Sequence, residues 1–253
     1  MPVPPGDAVR PAAAYERSRP GYPAAVAAHI TRRGRIGPGR RVLDVAAGTG
    51  QLTRALVAAG AAVVAVEPHP ALRRELARVL PAVPALAARA EALPLAPATV
   101  DAVTVAQAFH WFDAPAALAE ARRVLRPGGE LVIAWNVRDA SQGWVRAFSA
   151  ILVDAGVESP VHRFAGLDVA GLVAAAGGFG PVTRWRHCWE CAFDPGRLRG
   201  WVDSLGLAGR LDAARRRQVE ARVDALLRAD PDLAGRDAFG FPFTTEVWRC
   251  RAA

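Results

Sequence analysis

Three stretches of this sequence carry residue types at spacings that could do chemistry. The first is Val42-Leu43-Asp44-Val45-Ala46-Ala47-Gly48-Thr49-Gly50-Gln51-Leu52-Thr53, an apolar run closed by a glycine-rich turn. Glycine lets a ligand touch backbone where a Cβ would intrude, and a helix that opens at such a turn aims its free N–H groups at that ligand. The second is Glu67, at the end of another apolar run about 20 residues further on, the distance at which a carboxylate can accept from both hydroxyls of a ribose. The third is Ala108-Phe109-His110-Trp111-Phe112-Asp113, which follows a strongly apolar run. An imidazole there can serve as general base near neutrality or as a substrate anchor, and plain aromatic packing is the competing reading.

Two cofactors suit a glycine turn followed by a ribose-binding acid: a nicotinamide dinucleotide and S-adenosylmethionine. A dinucleotide fingerprint read from Gly48 and Gly50 wants a third glycine at position 53, where Thr53 stands. Asp44, just before the turn, suits the amine of a methionine directly or through water and sits badly beside a pyrophosphate. The balance of the residues therefore favours S-adenosylmethionine.

The elements that must position these residues follow from hydrophobic periodicity and breakers. A short helix over Ala24–Arg33 precedes strands at Arg41–Ala46, Ala61–Val66, Val83–Ala88, Val100–Ala106 and Glu130–Trp135. Between them lie helices at Gln51–Ala59, Pro70–Leu80 and Ala114–Leu125, the last closed by Arg126-Pro127-Gly128-Gly129. Apolar runs alternating with helices predict a parallel sheet covered on both faces, with a ligand crevice at the carboxyl ends of its strands. The second half differs, with helices at Ser141–Ala155, Asp168–Ala176, Pro195–Leu207 and Asp212–Arg228 and strands at Val182–Phe193 and Thr244–Arg251. The expected fold is a Rossmann-like, doubly wound, mostly parallel seven-stranded α/β sheet with an antiparallel last strand and a helical lid insertion. Residues 1–138 form the cofactor-binding core with an N-terminal arm. Residues 139–253 form the lid and substrate region plus the last two strands of the same sheet.

Composition excludes several classes. With 253 residues, 52% hydrophobic, the chain can build a sizeable core. No charge-free run approaches the 18 residues of a membrane helix and the N-terminus lacks a secretory pattern, so a cytoplasmic protein without a membrane partner is expected. The net charge of +8 comes from arginines scattered along the chain, and Arg215-Arg216-Arg217 falls in a helical pattern as a solvated face. That distribution argues against a nucleic-acid partner. Cys188-Trp189-Glu190-Cys191 lacks the second pair a zinc site needs and lies inside a strand pattern, so no metal is expected. His29, His162 and His187 show no ligand spacing.

The chain also resembles the class I S-adenosylmethionine-dependent methyltransferases, in the branch near the ubiquinone-biosynthesis-type and trans-aconitate-type enzymes. The resemblance spans Tyr15 to Asn136 and rests on V-L-D-V-A-A-G-T-G-Q-L-T, A-V-E-P, A-E-A-L-P-L-A-P-A-T-V-D-A-V and R-V-L-R-P-G-G-E-L, in that order. It implies that Asp44, Ala46, Gly48, Thr49 and Gly50 line the methionine end of S-adenosylmethionine and that Glu67 binds ribose. It places Pro68 and His69 beside adenine, Ala90 and Glu91 at its edge, and Gln107 beside the sulfonium. The Tyr15–Pro23 arm resembles the family's strap, which makes Tyr15 and Arg19 candidates for the cofactor carboxylate. Two positions depart from the pattern. Ala46 replaces a glycine, which is harmless if φ there is negative. Arg89 stands where many relatives are acidic or small, which leaves the adenine edge to backbone groups. The function implied is methylation of a small-molecule acceptor, at oxygen or carbon, of the kind used in secondary metabolism. The alternatives are a cyclase or rearrangement enzyme on the same fold and, ranked lower, an RNA methyltransferase. The acceptor's identity and the oligomeric state are not legible.

Overall fold

The computed structural model describes residues 18–31, 36–156, 167–204 and 211–253. The elements are α1 (Ala24–Thr31), β1 (Arg41–Val45), α2 (Gln51–Ala58), β2 (Ala62–Val66), α3 (Pro70–Val79), β3 (Ala85–Leu86), β4 (Val100–Ala106), α4 (Ala114–Val124) and β5 (Leu125–Arg138). There follow α5 (Gly143–Asp154), α6 (Val169–Ala176), β6 (Thr183–Phe193), α7 (Pro195–Ser204), α8 (Ala213–Ala229) and β7 (Phe239–Arg251). The seven strands form one sheet in the order β3-β2-β1-β4-β5-β7-β6. β1 to β5 pair in parallel, and β7 enters antiparallel between β5 and β6. This is the Rossmann-like sheet the sequence predicts.

The strands of the parallel half are buried on both faces, which is why they read as unbroken apolar runs rather than as alternation. On one face, Leu118, Val124, Val169 and Val173 from α4 and α6 pack on Leu43, Val103, Leu131 and Trp135. On the other, Val26, Ile30, Leu52, Leu56 and Leu76 from α1, α2 and α3 pack on Val42, Val63 and Val132. A third cluster stands beyond the carboxyl end of β5. There Trp144, Phe148, Leu198, Trp201, Val219 and Val223 of α5, α7 and α8 enclose Phe193, Phe241 and Phe243. Its rings sit in contact, with Trp201 and Phe241 centroids 5.0 Å apart and Trp144 and Phe241 4.8 Å apart. The insertion therefore stands at the crevice end of the sheet.

Three strand starts fall one or two residues later than expected, at Ala62, Ala85 and Thr183, and two fall five residues earlier. β5 begins at Leu125 rather than Glu130, because Leu125 pairs with Val100 across an irregularity in the ladder. The glycine turn expected there is drawn into the sheet, with Gly128 N–H donating to Ala252 O and Ala252 N–H to Gly129 O. β7 begins at Phe239 rather than Thr244, running through Gly240 and Pro242, residues that read as breakers. β5 ends at Arg138, opposite Phe243, and just past it Asp139 N–H donates to Pro242 O at 3.0 Å, so the N–H that Pro242 lacks would face the end of β5 rather than a continuing strand. Proline is tolerated where one side of a strand lacks a partner.

Candidate functional site

The glycine turn joins β1 to α2 at the carboxyl edge of the sheet. Ala47 N–H donates to Val66 O at 3.1 Å and Gly50 N–H to Ala47 O at 2.9 Å, which ties the turn to β2 and closes it. Gly48 has φ +60, and a Cβ built on it meets nothing within 4 Å, so its Cα faces open space. Gly50 is constrained differently: φ is +92, and a Cβ would lie 2.9 Å from Leu80 Cδ1 and 3.4 Å from Leu76 Cγ. The first glycine leaves its outer side open, and the second lets α2 settle on α3. Thr49 is buried within the turn.

Ala46 overturns an expectation. Its φ is +54, in the left-handed region, so the alanine is strained there rather than harmless. A Cβ in that region costs about 1 kcal/mol or more. Ala46→Gly should raise stability by about 1 kcal/mol, read by denaturant titration, and unchanged stability would show that the strain is relieved elsewhere.

Asp44 is fully buried at the end of β1, and both its oxygens are engaged. Thr53 Oγ1 donates to Oδ2 at 2.6 Å and Thr104 Oγ1 to Oδ1 at 2.7 Å. Thr53, where a dinucleotide site would carry glycine, is thus the residue that fastens α2 to β1. Burial pushes the Asp44 carboxyl up to about 6, with Glu67 adding to the rise and the two threonine bonds opposing it. The linkage sign follows. Below the ordinary 3.8 the group is protonated in both states, and above about 6 it is ionised in both. Between them the unfolded chain releases the proton first, so this group's contribution to stability declines as pH rises through that window, by about 3 kcal/mol in all. Asp44→Asn keeps the size and can satisfy both hydroxyls. It should abolish that slope in denaturation measured from pH 4 to pH 7, and parallel wild-type and variant curves would contradict the assignment.

Glu67 stands beside the turn at the end of β2, 4% exposed. Gly48 N–H donates to Oε2 at 2.9 Å and His69 N–H to Oε1 at 2.8 Å. Burial raises its pKa, partly offset by those two N–H groups, by His69 and by Arg73. Arg73 Nη1 also donates to the carbonyls of Glu67 and Pro68, fixing the chain that leads to His69. Each carboxylate oxygen keeps a second lone pair, so the backbone bonds orient this acceptor without exhausting it.

The remaining predicted residues fall around the same edge. Ala90 is buried in the core, and Glu91 Oε1 accepts from Asp113 N–H at 3.0 Å, linking the loop before β4 to the cap of α4. Arg89 Nε lies 3.4 Å from Glu91 Oε2. Gln107 follows β4 with φ +59, its N–H donating to Ala134 O at 2.9 Å. A 3₁₀ turn over Phe109–Trp111 comes next, with Phe109 buried against Trp135 and His110 half-buried. Trp135 Nε1 donates to His110 Nδ1 at 3.3 Å. In the neutral ring that bond places the proton on Nε2.

Tyr15 and His162 lie outside the described residues. Arg19 is described, and the strap around it runs along the carboxyl edge of the sheet. A Cβ on Gly21 would stand 3.2 Å from Gln51 Oε1, and Gly21 O accepts from Asn136 Nδ2 at 3.0 Å, so the strap spans from the glycine turn to the end of β5. Arg197 of α7 donates to Arg19 O at 3.1 Å, bringing the helical insertion against the strap. Arg138, 7% exposed, lies beneath Phe148 and Trp201, its guanidinium carbon 5.8 and 5.7 Å from their ring centroids. Burial and the nearby Arg19 lower its pKa to about 10.

Sequence reasoning read Thr53 only as a missing glycine, and it did not single out Thr104, Asn136, Arg138 or Thr245. Trp189 Nε1 donates to Thr245 Oγ1 at 2.8 Å, and Thr245 Oγ1 donates to Asn136 Oδ1 at 2.7 Å, so a relay from β6 fixes the amide that holds the strap. A polar Asn and Arg closing an otherwise apolar strand were the available signal. Cys188 and Cys191 lie on opposite faces of β6 and share no site.

Comparison with known proteins agrees with this geometry. A methyltransferase domain family matches residues 43–133, from β1 to β5. An uncharacterised methyltransferase of Mycobacterium tuberculosis is 38% identical over 95% of this chain and 93% of its own length. The chain belongs to the S-adenosylmethionine-dependent methyltransferases. A demethylmenaquinone methyltransferase of Mycobacterium sp. strain KMS is 31% identical over 74% of this chain and 72% of its own. Among solved structures, a candidate type II methyltransferase from Anaeromyxobacter dehalogenans superposes with a TM-score of 0.62 at 25% identity, covering 92% of this chain and 97% of that one. The methyltransferase cofactor fits the site: the open face of Gly48 gives it room, and Glu67 sits oriented at the strand end. No described helix is long and apolar enough to cross a membrane.

Proposed function

We propose that this methyltransferase methylates a small-molecule acceptor, at oxygen or carbon, held over the carboxyl ends of β4 and β5. The observation that carries the reading is the strap laid along the carboxyl edge of the sheet. At Arg19–Gly21 it meets both Asn136 of β5 and Arg197 of α7, which supports an acceptor held between the sheet edge and the helical insertion. The likeness to a demethylmenaquinone methyltransferase supports a small-molecule acceptor over RNA or protein.

Bound S-adenosylmethionine supplies a methyl carbon made electrophilic by its sulfonium. Glu67 takes the ribose hydroxyls on its remaining lone pairs, with Pro68 and His69 beside the adenine and Ala90 and Glu91 at its edge. Gly48, Thr49 and Gly50 cradle the methionine end, while Asp44 rigidifies the turn through Thr53 and faces the amine. Arg19 approaches the carboxylate. Gln107 and His110 border the reacting side. His110 presents Nε2–H, so of its two expected roles the anchoring donor is favoured: its other nitrogen is already occupied by Trp135. Helices α5, α7 and α8 close the acceptor side and exclude water. Displacement at carbon then needs chiefly alignment, which positioning can supply over many orders of magnitude.

The test is transfer of label. The full chain, incubated with methyl-labelled cofactor and extract of its source, should place label in the low-molecular-mass fraction. Label confined to RNA or protein would overturn the proposal.

A further inference from the structure

β6 is the outermost strand of the sheet, and among the described residues its outer edge has no strand against it. Its 11 residues, Thr183 to Phe193, pair with β7 without a register shift. Folded proteins blunt such an edge with charged side chains, which β6 carries at Arg184, Arg186 and Glu190, or with a bulge, a proline or a very short strand. The charges of β6 are of both signs and can pair between two copies, and of the backbone devices there is no trace. With an unbroken backbone ladder, β6 is a template for another strand whose charges complement its own.

The strand is complementary to itself. Its midpoint is Cys188, and its side chains alternate between an exposed face holding Arg184, Arg186, Cys188 and Glu190 and a half-buried face holding Trp185, His187 and Trp189. Antiparallel pairing of two copies about Cys188 overlaps the whole strand. It sets Arg186 opposite Glu190 of the second copy, and by symmetry Glu190 opposite Arg186. It also sets His187 against Trp189 and Cys188 against Cys188. A slip of one residue would put the charged face against the aromatic one, so the alternation selects this parity. Charge points the same way. Arg184 and Arg186 both contact Glu246 of β7, Arg186 Nε at 3.1 Å, which leaves one positive charge in excess in that cluster. Glu190 of the second copy, directly opposite Arg186, brings it to zero, and opposite charges paired across strands stabilise a ladder.

We propose that the chain forms a two-fold homodimer by antiparallel pairing of β6 with β6 about Cys188, continuing one sheet through both copies. An isologous contact of this kind closes on itself and leaves no further edge at that side. The crevice lies elsewhere in the sheet, so the dimer stands independently of the acceptor assignment.

Light scattering of the full chain across a concentration series should show a dimer, and a short bismaleimide should link it through Cys188. Cys188→Ser should abolish that link. Glu190→Arg places like charges opposite each other at two symmetric positions and should weaken association by about tenfold or more. The double exchange Arg186→Glu with Glu190→Arg should restore it, which separates lost pairing from misfolding. A wild-type monomer would overturn the proposal, including one whose β6 amides resist hydrogen exchange because another segment of the same chain covers the edge. So would a dimer indifferent to Glu190→Arg, or a link that survives Cys188→Ser.

Discussion

Replacing Glu67 with alanine should weaken S-adenosylhomocysteine binding by roughly 1.5–3 kcal/mol, the scale of hydrogen bonds to a charged group. In Kd that is about ten- to a hundredfold. The carboxylate has two tasks in this structure. It offers oriented lone pairs at the end of β2, and through Gly48 N–H at 2.9 Å and His69 N–H at 2.8 Å it holds the turn and the adenine-side loop in register. Glu67→Gln preserves size but brings an amide NH₂ against one of those N–H groups. Its loss should therefore approach that of alanine. Ala46→Gly, which relieves strain in the same turn, should leave affinity nearly unchanged. Calorimetry on variants whose folding is verified by circular dichroism decides the matter, and wild-type affinity in Glu67→Ala would remove Glu67 from the site.

His110→Ala should lower turnover by roughly ten- to a hundredfold while leaving cofactor affinity close to wild type, the loss expected when a hydrogen bond of about 1.5–3 kcal/mol to the reacting group disappears. The reason is the arrangement around the imidazole. Trp135, wholly buried on β5, donates to Nδ1, so the neutral ring carries its proton on Nε2. A ring that accepts a proton at Nδ1 would set two N–H groups against each other. Rate measured against pH therefore separates the two roles. An anchoring donor leaves the shape of the profile the same in wild type and variant. A general base gives a limb in the wild type that vanishes with His110. Trp135→Phe keeps the packing but releases Nδ1, and it should reduce turnover in the same direction without moving cofactor affinity. Wild-type turnover in His110→Ala would make this residue part of the aromatic packing alone.

The parallel half of the fold was legible because its strands are buried on both faces and separated by amphipathic helices of ordinary length. Val100–Ala106 reads from the sequence with the boundaries the structure gives. The last strand was partly hidden. Gly240 and Pro242 signal a break locally, but the Phe239, Phe241 and Phe243 side chains belong to the aromatic cluster beside α5 and α7, and tertiary packing decides. The site divides in the same way. Asp44, Gly48, Gly50 and Glu67 stand out because their chemistry is unusual for the ends of apolar runs. Thr53 and Thr104 do not, since a threonine in a helix or strand is ordinary until the fold places both hydroxyls on one buried carboxylate. The left-handed backbone at Ala46 was likewise invisible, because nothing about an alanine announces a positive φ. Asn136 and Thr245 are distant in sequence, and only the β5–β7 register makes them partners.

A crystal structure of the chain with S-adenosylhomocysteine tests the account most directly. The account predicts both ribose hydroxyls on the Glu67 carboxylate, the methionine end beneath the strap at Arg19–Gly21, and the sulfur facing the His110 side of the crevice. A ligand whose ribose lies away from Glu67, or whose sulfur is turned from His110 toward α3, would contradict it.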